Sequence, residues 1–258
     1  MSFQEDFECI KHGSGKLDHD VWVGGAGPPL ILMHELDGFG TAFIHLAERF
    51  AEQFRVYAPR FFGKVGEKEG CIANAKGLWH ICIRSEFYAF KRGQTSRVTN
   101  SIRKLVKYAK EQNPEFPKVG VIGMCMTGGI VLATITHPSV GAGVAAQPAL
   151  PLASLCFSSR KQKSDLGLGQ EDLDKAKVCD TPLLVLRFEF DKISPPQRIH
   201  EIKRTFPNCQ PPPQFLDGSD EHPTLTACYR SGISAKDQTR SQQAIDETIN
   251  FLNTHLRA

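Results

Sequence analysis

Residues 119–129 read VGVIGMCMTGG and form the most informative pattern in the sequence. Its first six residues form a short, unbroken apolar run, which is typical of a strand covered by helices on both faces. Cys125 follows directly, and glycines and a second apolar segment come next, which predicts a sharp turn from strand to helix at the thiol. Such a turn would point the thiol into a cleft where free backbone N–H groups favour negative charge. The alternative is a core cysteine in a glycine-rich turn.

Similar apolar runs recur along the chain and alternate with amphipathic helices. The runs cover residues 21–23, 30–33, 55–59, 119–124, 143–147, 183–190 and 214–218. Helical spacing of apolar residues predicts helices around residues 43–51, 98–109, 199–206 and 244–252. We expect the third of these helices to have Ser194 as its N-cap and Pro195 in its first turn. The alternation predicts a single α/β domain over residues 1–258 with a mostly parallel sheet.

Two long segments, residues 60–94 and 151–180, interrupt this alternation. Segments of that length in a compact domain usually cover a functional site or contain short helices of their own.

Composition excludes several classes of protein. The 258 residues include 31 basic and 28 acidic side chains, and the basic ones are scattered, which argues against a nucleic-acid partner. No apolar stretch approaches the roughly 20 residues that cross a membrane, and the polar, acidic start is unlike a signal peptide. The eight cysteines include no C-x-x-C pair and none lies near a histidine at ligand spacing, which argues against zinc. We therefore expect a cytoplasmic protein with reduced thiols, a monomer or weak homo-oligomer that does not bind membranes.

Two candidate partners of Cys125 follow it along the chain. Asp191 comes at the end of one predicted strand and His222 after the next, which gives the order nucleophile, acid, histidine. This order, at the carboxyl ends of strands, is that of the α/β-hydrolase fold. His222 would relay a proton, Asp191 would orient the imidazole, and Cys125 would carry an acyl group. The alternatives are a surface histidine in a polar loop and an acid that caps the helix after Ser194.

Residues 34–40, HELDGFG, follow another predicted strand, where this fold builds half of its oxyanion hole. The backbone N–H groups of Leu36 and Met126 are expected to converge on the developing oxyanion. His34 and Glu35 also begin like the zinc motif H-E-x-x-H, but a glycine stands where the second histidine is required, which excludes that motif.

Four motifs together resemble the dienelactone hydrolase family of cysteine-dependent α/β hydrolases. In chain order they are LILMHELDGFG at 30–40, GMCMTGG at 123–129, FEFDKISPP at 188–196 and EHPTL at 221–225. The resemblance implies a Cys–His–Asp triad without metal or cofactor, and it implies that Glu35 contacts the thiol and takes its proton. It also implies that arginines hold a substrate carboxylate. Arg84, with Tyr88 four residues later, matches the spacing of one of them.

The sequence departs from the family pattern at three places. Thr127 precedes the two glycines after the nucleophile, where the family has them one position earlier, which suggests an altered turn. A second arginine of the family would fall at Thr226, and the nearest candidate is Arg230, which weakens the case for a carboxylate-bearing lactone. Pro223 follows the catalytic histidine in place of a small or polar residue. The leading prediction is hydrolysis of a small ester, thioester or lactone through an acyl-Cys125 intermediate; the alternative is a non-catalytic scaffold that binds a small ligand or a partner.

Overall fold

Eight strands form one mostly parallel sheet in the computed structural model, which describes residues 3–13, 19–66, 97–149, 164–209, 214–216 and 219–257. The strands are β1 Phe7–His12, β2 His19–Gly24, β3 Pro29–Met33, β4 Arg55–Arg60, β5 Val119–Met124, β6 Val140–Ala146, β7 Leu183–Phe188 and β8 Gln214–Leu216. Their order across the sheet is β1-β2-β4-β3-β5-β6-β7-β8. The strand β2 pairs antiparallel with β1 and with β4, and all other neighbours are parallel.

Helices connect most of these strands. They are α1 Phe3–Asp6, α2 Thr41–Ala51, α3 Arg97–Gln112, α4 Met126–Thr134, α5 Gln170–Ala176, α6 Pro196–Thr205 and α7 Ala235–Leu256, with a 3-10 turn at Ala227–Tyr229. The four helices expected from apolar spacing correspond to α2, α3, α6 and α7. None of the helices in the described part of the chain is both long and apolar enough to cross a bilayer.

The start of α6 differs from the sequence prediction by one residue. Pro195 is the N-cap and Pro196 is the first helical residue. The hydroxyl of Ser194, expected to cap the helix, instead donates a 3.0 Å hydrogen bond to the carbonyl of Pro148. Either proline suits the first turn of a helix, so the contact of Ser194 with another loop decides where the helix begins.

Alternate residues of the central strands point into two separate apolar layers. Ile31, Val121 and Val185 lie in the layer that packs against α3, α4 and α6. Leu30 and Ile122 lie in the opposite layer, which packs against α2 and α7. All residues of β3, β5 and β7 are buried. The unbroken apolar runs were therefore correctly interpreted as strands with both faces covered.

The strand β1 was missed by the sequence analysis. Residues Phe7–His12 read FECIKH, and only Phe7 is buried. This strand lies at the edge of the sheet, so its side chains need not be apolar. Of the two long irregular segments, residues 67–94 and 151–163 lie outside the described residues, and α5 forms within the second segment.

Candidate active site

Cys125 lies at the turn between β5 and α4. Its backbone adopts φ 55° and ψ −118°, a conformation with positive φ that costs a non-glycine residue of order 1–3 kcal/mol. The Cys125 N–H donates a 3.0 Å hydrogen bond to Ala146 O, and Cys125 O accepts bonds from the N–H groups of Gly128 (3.1 Å) and Ala149 (3.0 Å). These backbone bonds hold the strained residue, which is 8% exposed as a whole.

Close packing at this turn explains the departure at Thr127. A Cβ atom at Gly123 would lie 2.4 Å from Thr127 O, and one at Gly128 would lie 2.9 Å from the Cα of Pro148. The closest approaches therefore fall at Gly123 and Gly128, and position 127 has room for a larger residue. The buried hydroxyl of Thr127 accepts a 2.8 Å bond from Met124 N–H and lies 2.9 Å from Met124 O and 3.2 Å from His34 O. The Thr127 hydroxyl therefore connects the end of β5 to the end of β3.

The buried Asp191 forms a pair with the partly buried His222. Nδ1 of His222 lies 2.8 Å from Oδ2 of Asp191, whose side chain is 0% exposed. Since a carboxylate can only accept, Nδ1 carries the proton and donates it. The other oxygen of Asp191 accepts bonds from the N–H groups of Ile193 (2.8 Å) and Ser194 (3.1 Å). Asp191 therefore contacts the histidine and also orders the turn before α6.

The remaining nitrogen of His222 faces Cys125. Nε2 is buried and makes no hydrogen bond of standard geometry to the described residues. Burial disfavours the imidazolium, but the electrostatic interaction with Cys125 and the hydrogen bond to Asp191 outweigh it and raise the pKa of His222 to about 10. The arrangement therefore favours a protonated imidazole beside the sulfur of Cys125.

Glu35 follows β3 and is held by a buried polar network. Its Oε1 accepts a 2.5 Å bond from the hydroxyl of Thr226 and a 2.8 Å bond from Nη2 of Arg230. Arg230 also forms an ion pair with Asp37. Burial alone would raise the pKa of Glu35, but the charge of Arg230 and the bond from Thr226 hold this pKa below its ordinary value. Glu35 is therefore ionised.

The role implied for Glu35, a contact with the thiol, stays a prediction. The Cys125 thiol is not among its hydrogen-bond partners in the described residues, so the implied contact between carboxylate and thiol is not seen. The family resemblance places its second arginine at Thr226. Arg230 lies four residues later, and its guanidinium bonds to the Glu35 carboxylate.

His34 orders the loop that follows β3. Its Nδ1 donates a 2.8 Å bond to Glu35 O, and its Nε2 accepts a 3.1 Å bond from Phe61 N–H. The ring is fully buried, with Phe62 packed edge-on at 4.8 Å between centroids, and burial lowers the pKa of His34 to about 4. His34 is thus a neutral structural residue. No group of three His, Cys, Asp or Glu residues in the described ranges is arranged to hold a metal ion.

The two backbone groups expected to form an oxyanion hole lie beside this loop and the turn at Cys125. Met126 is the first residue of α4, where N–H groups have no partner within the helix. Among the described turns and loops, neither Leu36 nor Met126 donates a backbone hydrogen bond, whereas Gly38 N–H is bonded to Glu35 O. Both N–H groups therefore have the capacity to bind an oxyanion.

Two predicted substrate-binding residues cannot be located, and one buried residue of the site was missed by the sequence analysis. Arg84 and Tyr88 lie outside the described residues. Gln147 was not recognised, although it is a polar residue at the end of the apolar strand β6, on the same sheet edge as the other candidates. It is fully buried and its amide contacts Thr224 and Glu35.

Comparisons with known proteins agree with this architecture. The model of the dienelactone hydrolase family matches residues 20–256. A Klebsiella pneumoniae protein provisionally assigned as a dienelactone hydrolase shares the fold with a TM-score of 0.66 and 14% identity, over 96% of this chain and 99% of that one. An esterase of Pyrococcus furiosus shares the fold with a TM-score of 0.63 and 13% identity, over 97% of this chain and 93% of the esterase chain. No curated protein matches the sequence.

Proposed function

Because the chain belongs to the dienelactone hydrolase family, whose model spans residues 20–256, we propose that it hydrolyses small esters, thioesters or lactones through an acyl-cysteine intermediate. Membership of the family supports a hydrolase. The observation that carries the specific proposal is the 2.8 Å pair between Asp191 and His222, with the buried Nε2 of His222 facing Cys125.

In the first half of the reaction, the thiolate of Cys125 attacks the carbonyl carbon of the substrate. The carbonyl oxygen becomes an oxyanion, which the N–H groups of Leu36 and Met126 stabilise. When the carbon–oxygen bond to the leaving group breaks, the imidazolium of His222 gives its proton to the departing alkoxide. Asp191 keeps Nδ1 protonated and stabilises the positive ring throughout.

In the second half, water releases the acyl group. The imidazole of His222 is now neutral and removes a proton from the water that attacks the thioester carbon. Collapse of the second oxyanion expels the sulfur of Cys125 as a thiolate and forms the carboxylic acid. The thiolate and imidazolium are then restored, so each turnover consumes one ester and one water.

The charges near Glu35 bear on the kind of substrate. Arg230 is paired with two carboxylates, those of Glu35 and Asp37. Its positive charge is therefore already compensated by protein groups and adds little attraction for a substrate carboxylate. The compensated charge of Arg230 therefore favours an uncharged ester or lactone over a substrate that carries a carboxylate.

Hydrolysis of p-nitrophenyl acetate tests the proposal. Cys125→Ala should lower kcat/KM by about 10³-fold or more, because it removes the nucleophile. Cys9→Ala is the matched control, since Cys9 is an exposed cysteine on the edge strand β1 and should leave the rate unchanged. Equal rates for the wild-type protein and Cys125→Ala would reject the acyl-cysteine mechanism and favour a binding scaffold.

A further inference from the structure

Three consecutive residues at the end of β6, Gln147, Pro148 and Ala149, connect the loops that carry the candidate catalytic residues. All three are buried. Ala149 N–H donates a 3.0 Å bond to Cys125 O, and Gln147 N–H donates a 2.6 Å bond to Leu186 O in β7. This segment contains none of the three proposed triad residues, but it is bonded to Cys125 on one side and to β7 on the other.

The carbonyl of Pro148 anchors the loop of Asp191. It accepts a 3.0 Å bond from the hydroxyl of Ser194 and a 2.9 Å bond from Nε of Arg198 in α6. Ser194 N–H in turn donates to Asp191. The loop that presents the carboxylate is therefore tied to the end of β6 by buried hydrogen bonds.

The side chain of Gln147 anchors the loop of His222. Its Oε1 accepts a 3.1 Å bond from Thr224 N–H and a second bond from the hydroxyl of Thr224. Its Nε2 lies 3.5 Å from Oε2 of Glu35, so the amide spans the space between the loop after β3 and the loop of His222. Gln147 and Thr224 are both 0% exposed.

The link between Thr224 and His222 is stiff. Pro223 lies between them, its ring fixes its own φ, and a residue before proline is restricted to extended conformations. Holding Thr224 therefore also holds the backbone of His222. The proline after the histidine, an unexplained departure from the family pattern in the sequence, has a physical role in this arrangement.

The backbone of Gln147 is itself strained. Its φ is 34°, in the left-handed region that non-glycine residues seldom occupy. Strain of this kind persists only where surrounding contacts determine the conformation. A smaller residue such as glycine would relieve the strain but could not reach Thr224, so the contacts of the side chain are a reason for the glutamine.

We propose that Gln147 is a positioning residue, which holds the His222 loop against the Glu35 loop and so sets the approach of the imidazole to the Cys125 thiol. The inference rests on the proposed function for its kinetic readout. It also has a readout that needs no substrate, the rate at which Cys125 is alkylated.

The test compares Gln147→Leu with Asn113→Leu. Leucine has nearly the volume of glutamine but cannot bond to Thr224. Asn113 is the matched control because it is a buried amide far from the site, which donates 2.8 and 2.7 Å bonds to Tyr57 and Ala109. Both variants lose buried hydrogen bonds and should lose stability to a similar extent. Only Gln147→Leu should lower kcat for p-nitrophenyl acetate, by roughly 10- to 100-fold with little change in KM, because a small displacement of a catalytic group has that effect.

Alkylation by iodoacetamide at neutral pH separates this inference from the proposed function. Alkylation of Cys125 should slow in Gln147→Leu and stay unchanged in Asn113→Leu. If the wild-type protein hydrolyses no ester but this difference in alkylation is found, the positioning role stands and the proposed function fails. The positioning role is wrong if Gln147→Leu keeps the wild-type kcat and the wild-type rate of Cys125 alkylation. It is also wrong if kcat and the alkylation rate fall as much in Asn113→Leu as in Gln147→Leu.

Gln147→Asn provides the same test should the leucine variant not fold. Asparagine tolerates positive φ better than most residues and keeps the amide, but it is shorter by one methylene. We expect the same fall in kcat in a stable protein. Wild-type kcat in Gln147→Asn would overturn the inference, because the amide could no longer span the two loops.

Discussion

The protonation of His222 should depend on a neighbouring side chain, Cys125. The interaction with Cys125 is the largest of the effects that raise the pKa of His222 to about 10. In Cys125→Ala, we expect this pKa to fall, because burial then opposes the imidazolium without the contribution of Cys125. Titration of the imidazole resonances by NMR measures the change. A His222 that titrates at the same pH in both proteins would show that sulfur and ring are not coupled.

Arg230 compensates the buried carboxylate of Glu35 and the partly exposed carboxylate of Asp37. Arg230→Met removes the positive charge that both carboxylates contact, so we expect the free energy of unfolding at neutral pH to fall by roughly 3–5 kcal/mol. Arg204→Met is the control, since Arg204 forms an exposed pair with Glu201, and it should change little. Urea denaturation measures both. A similar small loss in the two variants would contradict the assigned role of Arg230.

The dependence of stability on pH gives an independent check of Glu35. Its pKa in the folded protein is below the ordinary value of 4.5. Its contribution is therefore fully present above pH 4.5 and is lost as the pH falls through the folded pKa. In Arg230→Met this contribution disappears, so the difference in unfolding free energy between wild type and variant should shrink at acidic pH. A difference that stays constant with pH would contradict this account.

The junction of β5, α4 and the end of β3 depends on the hydroxyl of Thr127. Thr127→Val keeps the shape but removes the buried hydroxyl and its hydrogen bonds to Met124 and His34, which should cost about 1–3 kcal/mol. Thr127→Ser keeps the hydroxyl and should be closer to wild type despite the lost methyl group. Thermal denaturation of both variants checks this. The opposite order of stability would show that packing, and not the hydrogen bonds of Thr127, holds the two strands together.

Local patterns were sufficient to predict most strands and helices. The buried strands β3, β5 and β7 carry unbroken apolar runs, and α3 and α7 carry apolar residues at helical spacing, so each reveals its type without reference to its neighbours. The edge strand β1 has no such signal. Its pairing with β2 across the antiparallel register Phe7↔Gly24 to His12↔His19 comes from the neighbour and not from its own composition.

The candidate site was predictable to the extent that it follows chain order. Cys125, Asp191 and His222 could be proposed because each follows a recognisable strand, and parallel strands bring their carboxyl ends to one edge of the sheet. The partners of Glu35 could not be predicted, because Arg230 and Thr226 lie almost two hundred residues away in sequence and are joined to it only by folding. The bond between Gln147 and Thr224 could not be predicted either, because no local sequence pattern indicates it.

The molecule as a whole is therefore interpreted as a sheet that gathers a thiol, an imidazole and a carboxylate at one edge for acyl transfer. Acid quenching during turnover of p-nitrophenyl acetate, followed by mass spectrometry of the peptides, tests that claim most directly. The account predicts one acetyl group on the peptide that contains Cys125, which disappears as substrate is exhausted, and none in Cys125→Ala. Acetylation of a different residue, or hydrolysis with no acetylated protein in either form, would contradict it.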